Sequence, residues 1–129
     1  MTKYGYPDER WQAMVKAGGE YLAEVAARGG DTDYTKFCEE VRRRAGFSVA
    51  PGDHALAHLL GDIGREAHFE RGAVTTVLVH YKNGGSEPGP GFFVLCQELG
   101  LLPPGHLDDL TKLTFHVEQA KAVYEAYRA

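Results

Sequence analysis

The sequence predicts a mainly α chain with a small β element, an α+β fold. Three observations predict it: apolar residues recur at helical spacing in five stretches, capping side chains and glycine stops bracket most of them, and a single β-rich run, VTTVLVHY at 74–81, stands among them. At 129 residues and 43% hydrophobic, the chain can bury one core without outside help. The expected organisation is one domain over 1–129, with a core at 31–100 and flanking helices at 8–28 and 106–128.

A formal charge of −4 argues against a wholly basic nucleic-acid coat or a polybasic membrane binder, while leaving room for a local basic patch. The opening residues MTKYGYPDERW contain no apolar run of signal-peptide length, and no window reaches the ~20 apolar residues of a membrane span. The chain is therefore expected to be soluble and cytoplasmic, with no membrane partner. Cys38 and Cys96 fall on helical patterns without CxxC spacing, which favours two buried thiols over a disulfide or a zinc site.

The first helix is expected from an Asp8 N-cap to about Arg28, with Trp11, Val15, Leu22 and Val25 on its apolar stripe and Gly29-Gly30 as its stop. Gly18-Gly19 inside it signals a break or a close helix crossing, of which the break is the simpler expectation. Asp31-Thr32-Asp33 supplies capping groups for a second helix over 34–45, whose stripe is Tyr34, Phe37, Cys38 and Val41 and whose stop is Gly46. Arg42, Arg43 and Arg44 in its last turn complement the helix dipole and offer three cations to a phosphate backbone.

Asp53 is the expected N-cap of the central helix, which runs to Arg71 before Gly72 and buries Leu56, Leu59, Leu60, Ile63 and Ala67. Its other face carries His54, His58, Asp62, Arg65 and Glu66. The 74–81 run is expected to be a covered strand that pairs with a short extended piece elsewhere. Lys82 to Gly91, KNGGSEPGPG, is turn chemistry, and Pro90 launches a helix to Leu99 that ends at Gly100. The last helix is expected over about 107–127, with Leu110, Leu113, Val117, Ala120, Tyr124 and Tyr127 forming one apolar stripe.

No phosphate-loop, GxGxxG or GxSxG motif is present. His54 and His58, four residues apart, could share a metal with Asp62 one turn on, and His68 between Glu66 and Glu70 has the composition for acid–base work. Both sets also fit an ordinary solvated helix face, there is no HExxH, and no metal or other cofactor is assigned.

The run Leu59-Leu60-Gly61-Asp62-Ile63, then Glu66, Gly72, the apolar 74–79 segment, Pro88-Gly89-Pro90-Gly91-Phe92-Phe93 and Leu99-Gly100 resembles a family of small, mostly uncharacterised bacterial domains. Their pattern is an LGxI helix, a strand and a PGxGFF helix start, and the resemblance covers roughly 34–100. It carries no catalytic residue. The element order also resembles a winged helix, with extra N- and C-terminal helices, and is similar in layout to the DNA-binding part of alkyltransferase-like proteins. The Pro-Cys-His-Arg stretch of those proteins is missing, so alkyl transfer is not implied.

That resemblance implies a non-enzymatic DNA-binding or regulatory module. The central helix would enter the major groove and the 82–91 turn would act as the wing. Arg42, Arg43, Arg44, Arg65 and Lys82 would contact phosphates, with His54 and His58 near base edges. The other classes are a metal-assisted hydrolase or nuclease built on His54, His58 and Asp62, and an interaction module that forms a homodimer through the terminal helices, anchored by Trp11, Tyr21, Tyr124 and Tyr127.

Overall fold

The sole tryptophan sits without solvent contact in the second turn of a 20-residue helix, α1 (Asp8–Ala27), around which the other elements gather. The computed structural model describes residues 2–82, 84–85 and 87–128. It is mainly helical with a small β part: β1 (Thr2–Lys3) and β2 (Tyr6–Pro7) precede α1, and β3 (Thr32–Asp33) leads into α2 (Tyr34–Ala45). Then follow α3 (His54–Arg71), a 3-10 turn (Thr75–Leu78), β4 (Val79–His80), α4 (Pro90–Glu98) and α5 (Asp109–Ala126). Trp11, Met14, Leu22 and Val25 of α1 meet Phe37 and Val41 of α2, and Leu59 and Ile63 of α3, in one apolar core.

Local chemistry explains the helix limits. Asp33 accepts from Lys36 N–H at 2.8 Å and Asp53 from Ala55 N–H at 2.9 Å, each satisfying an orphan donor of a first turn. Gly46 and Gly72 end α2 and α3 at φ of 89° and 70°, a left-handed backbone that glycine adopts at least cost. The expected cap of α1 is corrected: Asp8 is its first helical residue, Pro7 precedes it, and Asp8 and Glu9 instead place negative charge at the positive end of the dipole.

The expected break at Gly18-Gly19 does not occur. α1 is continuous, and a Cβ on Gly18 would lie 2.6 Å from Ile63 Cδ1 and 2.9 Å from Phe37 Cζ, so this glycine marks the close crossing of three helices. An N-terminal ribbon, unanticipated from the sequence, precedes α1. Its turn, Tyr4-Gly5, has φ of 52° and 90°, as a two-residue hairpin turn with positive φ at both positions requires.

The long strand expected over 74–81 is also corrected. Within this run only Val79 and His80 form a strand, pairing parallel with Thr32 and Asp33, while Thr75–Leu78 wind into the 3-10 turn. A strand extends only as far as its partner, and β3 has two residues between the stop of α1 and the start of α2. The buried backbone before it is satisfied differently: Val74 N–H donates to Gln119 Oε1 of α5 at 2.9 Å. The expected wing is likewise altered. Among the described residues the 82–91 turn is closed by a single antiparallel bridge, His80 to Pro88, and Asn83 of the expected Asn83-Gly84 turn lies outside those residues.

α5 begins after Asp108, whose carboxylate accepts from Thr111 N–H at 2.7 Å. Its buried face is a correction too: His116 and Val123 turn inward, while Leu110, Leu113 and Val117 are 72%, 46% and 42% exposed. The 3-10 turn, buried throughout, meets α5 where Gln119 reaches Val74, and this orients the helix about its axis.

Candidate functional site

Between the first half of α3 and the start of α4 lies a cleft of about 340 Å³. Leu56 and Leu60 form its α3 wall, Phe92 and Leu95 its α4 wall, and the buried Thr76 contributes to its lining. Tyr34 and Tyr81 flank it, with ring centroids 5.0 Å apart. The two stretches LLGDI and PGPGFF, far apart in sequence, thus face one another across this cleft through Leu60-Gly61 and Pro90-Gly91-Phe92.

Two glycines shape it. Gly64 lets α4 approach α3, since a Cβ there would lie 2.5 Å from Leu95 Cδ2 and 3.2 Å from Thr76 Oγ1. Gly89, just before α4, donates its N–H to the Tyr34 hydroxyl at 3.0 Å, and a Cβ on it would collide with that hydroxyl and stand 3.4 Å from the Tyr81 hydroxyl. Pro90 occupies the first helical position, where its missing N–H costs nothing.

The polar side chains that line the cleft are the hydroxyls of Tyr34, Tyr81 and Thr76, with Asp53 and His54. Burial raises the Tyr34 phenol above its ordinary range, so it is neutral, and because it accepts from Gly89 its own proton is left to donate. Thr76 is 4% exposed, and its hydroxyl has no hydrogen-bond partner. α4 starts with no side-chain cap. At the rim, Asp53 and His54 line the mouth, and one carboxylate oxygen of Asp53 is engaged by Ala55 N–H.

The residues singled out for nucleic acid are dispersed. Arg43 pairs with Glu40 at 2.8 Å, and Arg44 with Glu24 at 2.6 Å and Glu40 at 3.2 Å. Hydrogen bonds from Arg44 and Arg43 hold the Glu24 and Glu40 carboxyls, respectively, below the ordinary carboxylate range, and those carboxylates raise Arg44 in return. Arg42 is exposed. Arg65 bridges Asp62 at 3.0 Å and Glu98 at 2.8 Å, tying α3 to α4. Lys82 is exposed and follows Tyr81, whose ring meets Tyr34 at the opposite end of α2 from the arginine triplet. The 12 residues of α2 span about 18 Å, so the turn and the triplet do not converge.

The histidine pair is also separated in role. His54 lines the cleft, whereas His58 is stacked under Tyr4 of the N-terminal ribbon at 3.9 Å and 6°. Asp62 accepts from Trp11 and Arg65 and lies 3.8 Å from Lys3 Nζ. Among the described residues no group of three His, Cys, Asp or Glu side chains is placed to hold a metal ion. Two smaller recesses lie elsewhere on the surface. One of about 330 Å³ between α1 and α3 has Thr75 in its wall, and one of about 250 Å³ beside α5 has the buried His116.

Tyr34, Tyr81 and Thr76 were not singled out from the sequence. The available signal was the pair of glycine-containing stretches at the two walls, which read as helix packing and a helix start rather than as two sides of one cavity. Among the described residues no helix is long and apolar enough to cross a membrane. Comparisons of the chain with protein-family models, curated proteins and solved structures yield no match.

Proposed function

We propose that this chain is a non-enzymatic binding module, of the kind that regulates through a bound small molecule, with the α3–α4 cleft as its ligand site. The observation that carries this reading is the cleft itself: apolar walls, two tyrosines at its side and Asp53 and His54 at its mouth, the mixture of apolar lining and a few polar groups usual in a small-molecule site, in a volume near the lower end of that range. The test is equilibrium binding of two flat aromatic probes, 2-naphthylmethanol and 2-naphthoate, to the wild-type chain and to Leu60→Trp, whose indole fills the cleft. Saturable binding of either probe that Leu60→Trp abolishes supports the reading. Absence of saturable binding by both probes overturns it.

A second reading retains duplex DNA as a partner, through the end of α2. It is favoured by the exposure of Arg42 and by the solvent-facing position of the Arg43–Glu40 pair, since exposed pairs of this type contribute only about 0–1 kcal/mol and exchange a carboxylate for a phosphate at little cost. The expected result is binding to random duplex that weakens steeply between low and physiological salt, with a shallower dependence after Arg42→Ala and Arg43→Ala. Binding that ignores salt, or no binding at low salt, removes this reading.

A further inference from the structure

We infer that the recess beside α5 is a second binding site, and that it takes a zwitterionic α-amino acid with an aliphatic side chain. It is separate from the α3–α4 cleft and does not rest on the reading of that cleft.

The group that points to a ligand is His116, which is 7% exposed and lines the recess. Its Nδ1 is sealed off without a hydrogen-bond partner. Nε2 has no hydrogen bond among the described residues either, but it is not sealed, so it is the nitrogen that reaches the recess. An N–H shut away from every acceptor is the costlier way to bury an imidazole nitrogen, so Nδ1 keeps its lone pair and Nε2 carries the proton. That proton faces an acceptor oxygen brought in through the recess.

One cation and one anion also line the recess, on different elements: Lys121 on α5 and Asp31 on the segment before β3. Lys121 has no ion pair among the described residues, and the 55% exposed Asp31 has one oxygen 3.4 Å from His80 Nε2, which leaves the other open. The Tyr124 hydroxyl donates to Gly30 O at 2.9 Å, so it offers no proton to a ligand and ties the Asp31 segment to α5. An acid alone would meet Asp31 with like charge, and an amine alone would meet Lys121 so. An amino acid answers both, with its carboxylate towards Lys121 and His116 Nε2 and its ammonium towards Asp31. Val77, Leu78, Val117 and Ala120 leave only apolar surface for its side chain, and about 250 Å³ keeps that side chain small.

The experiment compares L-leucine with 4-methylpentanoate, which lacks the ammonium, and with 3-methylbutylamine, which lacks the carboxylate. Calorimetry is run on wild type, Lys121→Met, Asp31→Asn, His116→Phe and Leu60→Trp, and urea unfolding establishes that each is folded. The two exposed substitutions keep the test decisive where His116→Phe does not fold. The expected result is saturable leucine binding about ten-fold or more tighter than either analogue, since each analogue loses a charged contact. Lys121→Met, Asp31→Asn and His116→Phe should each weaken leucine several-fold, and Leu60→Trp, in the other cleft, should leave it unchanged. An analogue that binds as tightly as leucine overturns the zwitterion. Leucine binding that Lys121→Met and Asp31→Asn leave intact, or that Leu60→Trp abolishes, overturns the placement. No saturable leucine binding by the wild-type chain overturns the site, and leaves the naphthyl-probe test of the α3–α4 cleft untouched.

Discussion

The indole N–H of Trp11 donates to Asp62 Oδ2 at 2.8 Å, joining the second turn of α1 to the middle of α3 across 51 residues. Trp11 is fully buried, so this carboxylate is the means by which its one polar atom is satisfied in the core. Asp62 also receives Arg65 and faces Lys3, which makes it a structural acceptor at the meeting of α1, α3 and the N-terminal ribbon.

Replacing Asp62 by Ala should therefore destabilise the fold. A buried donor that loses its partner costs about 1–3 kcal/mol, and the lost pair with Arg65 adds little because that guanidinium is well exposed. Asp62→Asn keeps an acceptor oxygen and should recover much of the loss. Urea unfolding followed by the fluorescence of Trp11, the chain's one tryptophan, measures both. Equal stability of wild type and Asp62→Ala would show that the indole does not depend on this carboxylate.

Adjacent glycines in α1 should respond with opposite signs. A Cβ on Gly18 would press on the buried Phe37 ring and Ile63, and overpacking of this kind costs about 1–3 kcal/mol, more than the helix propensity gained. A Cβ on Gly19 meets nothing within 4 Å, so Gly19→Ala should stabilise by about 0.5–1 kcal/mol. Thermal midpoints should fall for the first variant and rise for the second.

Burial pushes the Cys38 thiol up to about 11 and the Cys96 thiol up to about 12, from an ordinary value of 9.0. Since the folded-state values are raised, the stability linked to these thiols is complete below the ordinary thiol range and is lost as pH rises through 9.0 towards 11 and 12. Native protein at pH 8 should react with a disulfide reagent far more slowly than the urea-unfolded chain. The loss of stability above pH 9 should become shallower in Cys96→Ala. Rapid labelling of either cysteine in the native state would contradict this.

Leu110, Leu113 and Val117 present a solvent-facing apolar stripe on α5, the natural face for the homodimer expected from the terminal helices. The double variant Leu110→Gln, Leu113→Gln should change folding stability by no more than about 0.5 kcal/mol, as exposed positions do. Sedimentation velocity at high concentration then tests self-association: a dimer in wild type that becomes a monomer in the variant assigns the stripe to it. A wild-type chain that stays monomeric discards the dimer.

Much of the helical scaffold was legible because the interactions that delimit helices are short in sequence. Asp33 reaches three residues ahead and Asp53 two, and Gly46 and Gly72 need only their own backbone freedom. The anchors proposed for a dimer show the opposite case: Trp11 and Tyr21 have the side chains of an interface but are buried, Tyr21 bonding Thr32 at 2.6 Å. The candidate site was legible only in pieces. His54, marked for base contact, lines the cleft, while Tyr34 and Tyr81 read as helix start and strand end.

The chain read alone decided the fold class, the extents of α2 and α3, and the helical positions of the two cysteines, because caps, stops and periodicity act within a few residues. Tertiary structure decided the rest. It bent 74–81 into a 3-10 turn for want of a longer partner strand, rotated α5 so that Val123 rather than Leu113 faces inward, and matched Arg44 with Glu24 of α1 and Arg65 with Glu98 of α4. It also brought Tyr34 to Gly89 across 55 residues to close one side of the cleft. Each of these depends on which surfaces meet once the helices pack, and the spacing of residues along a chain carries no record of a neighbour fifty positions away.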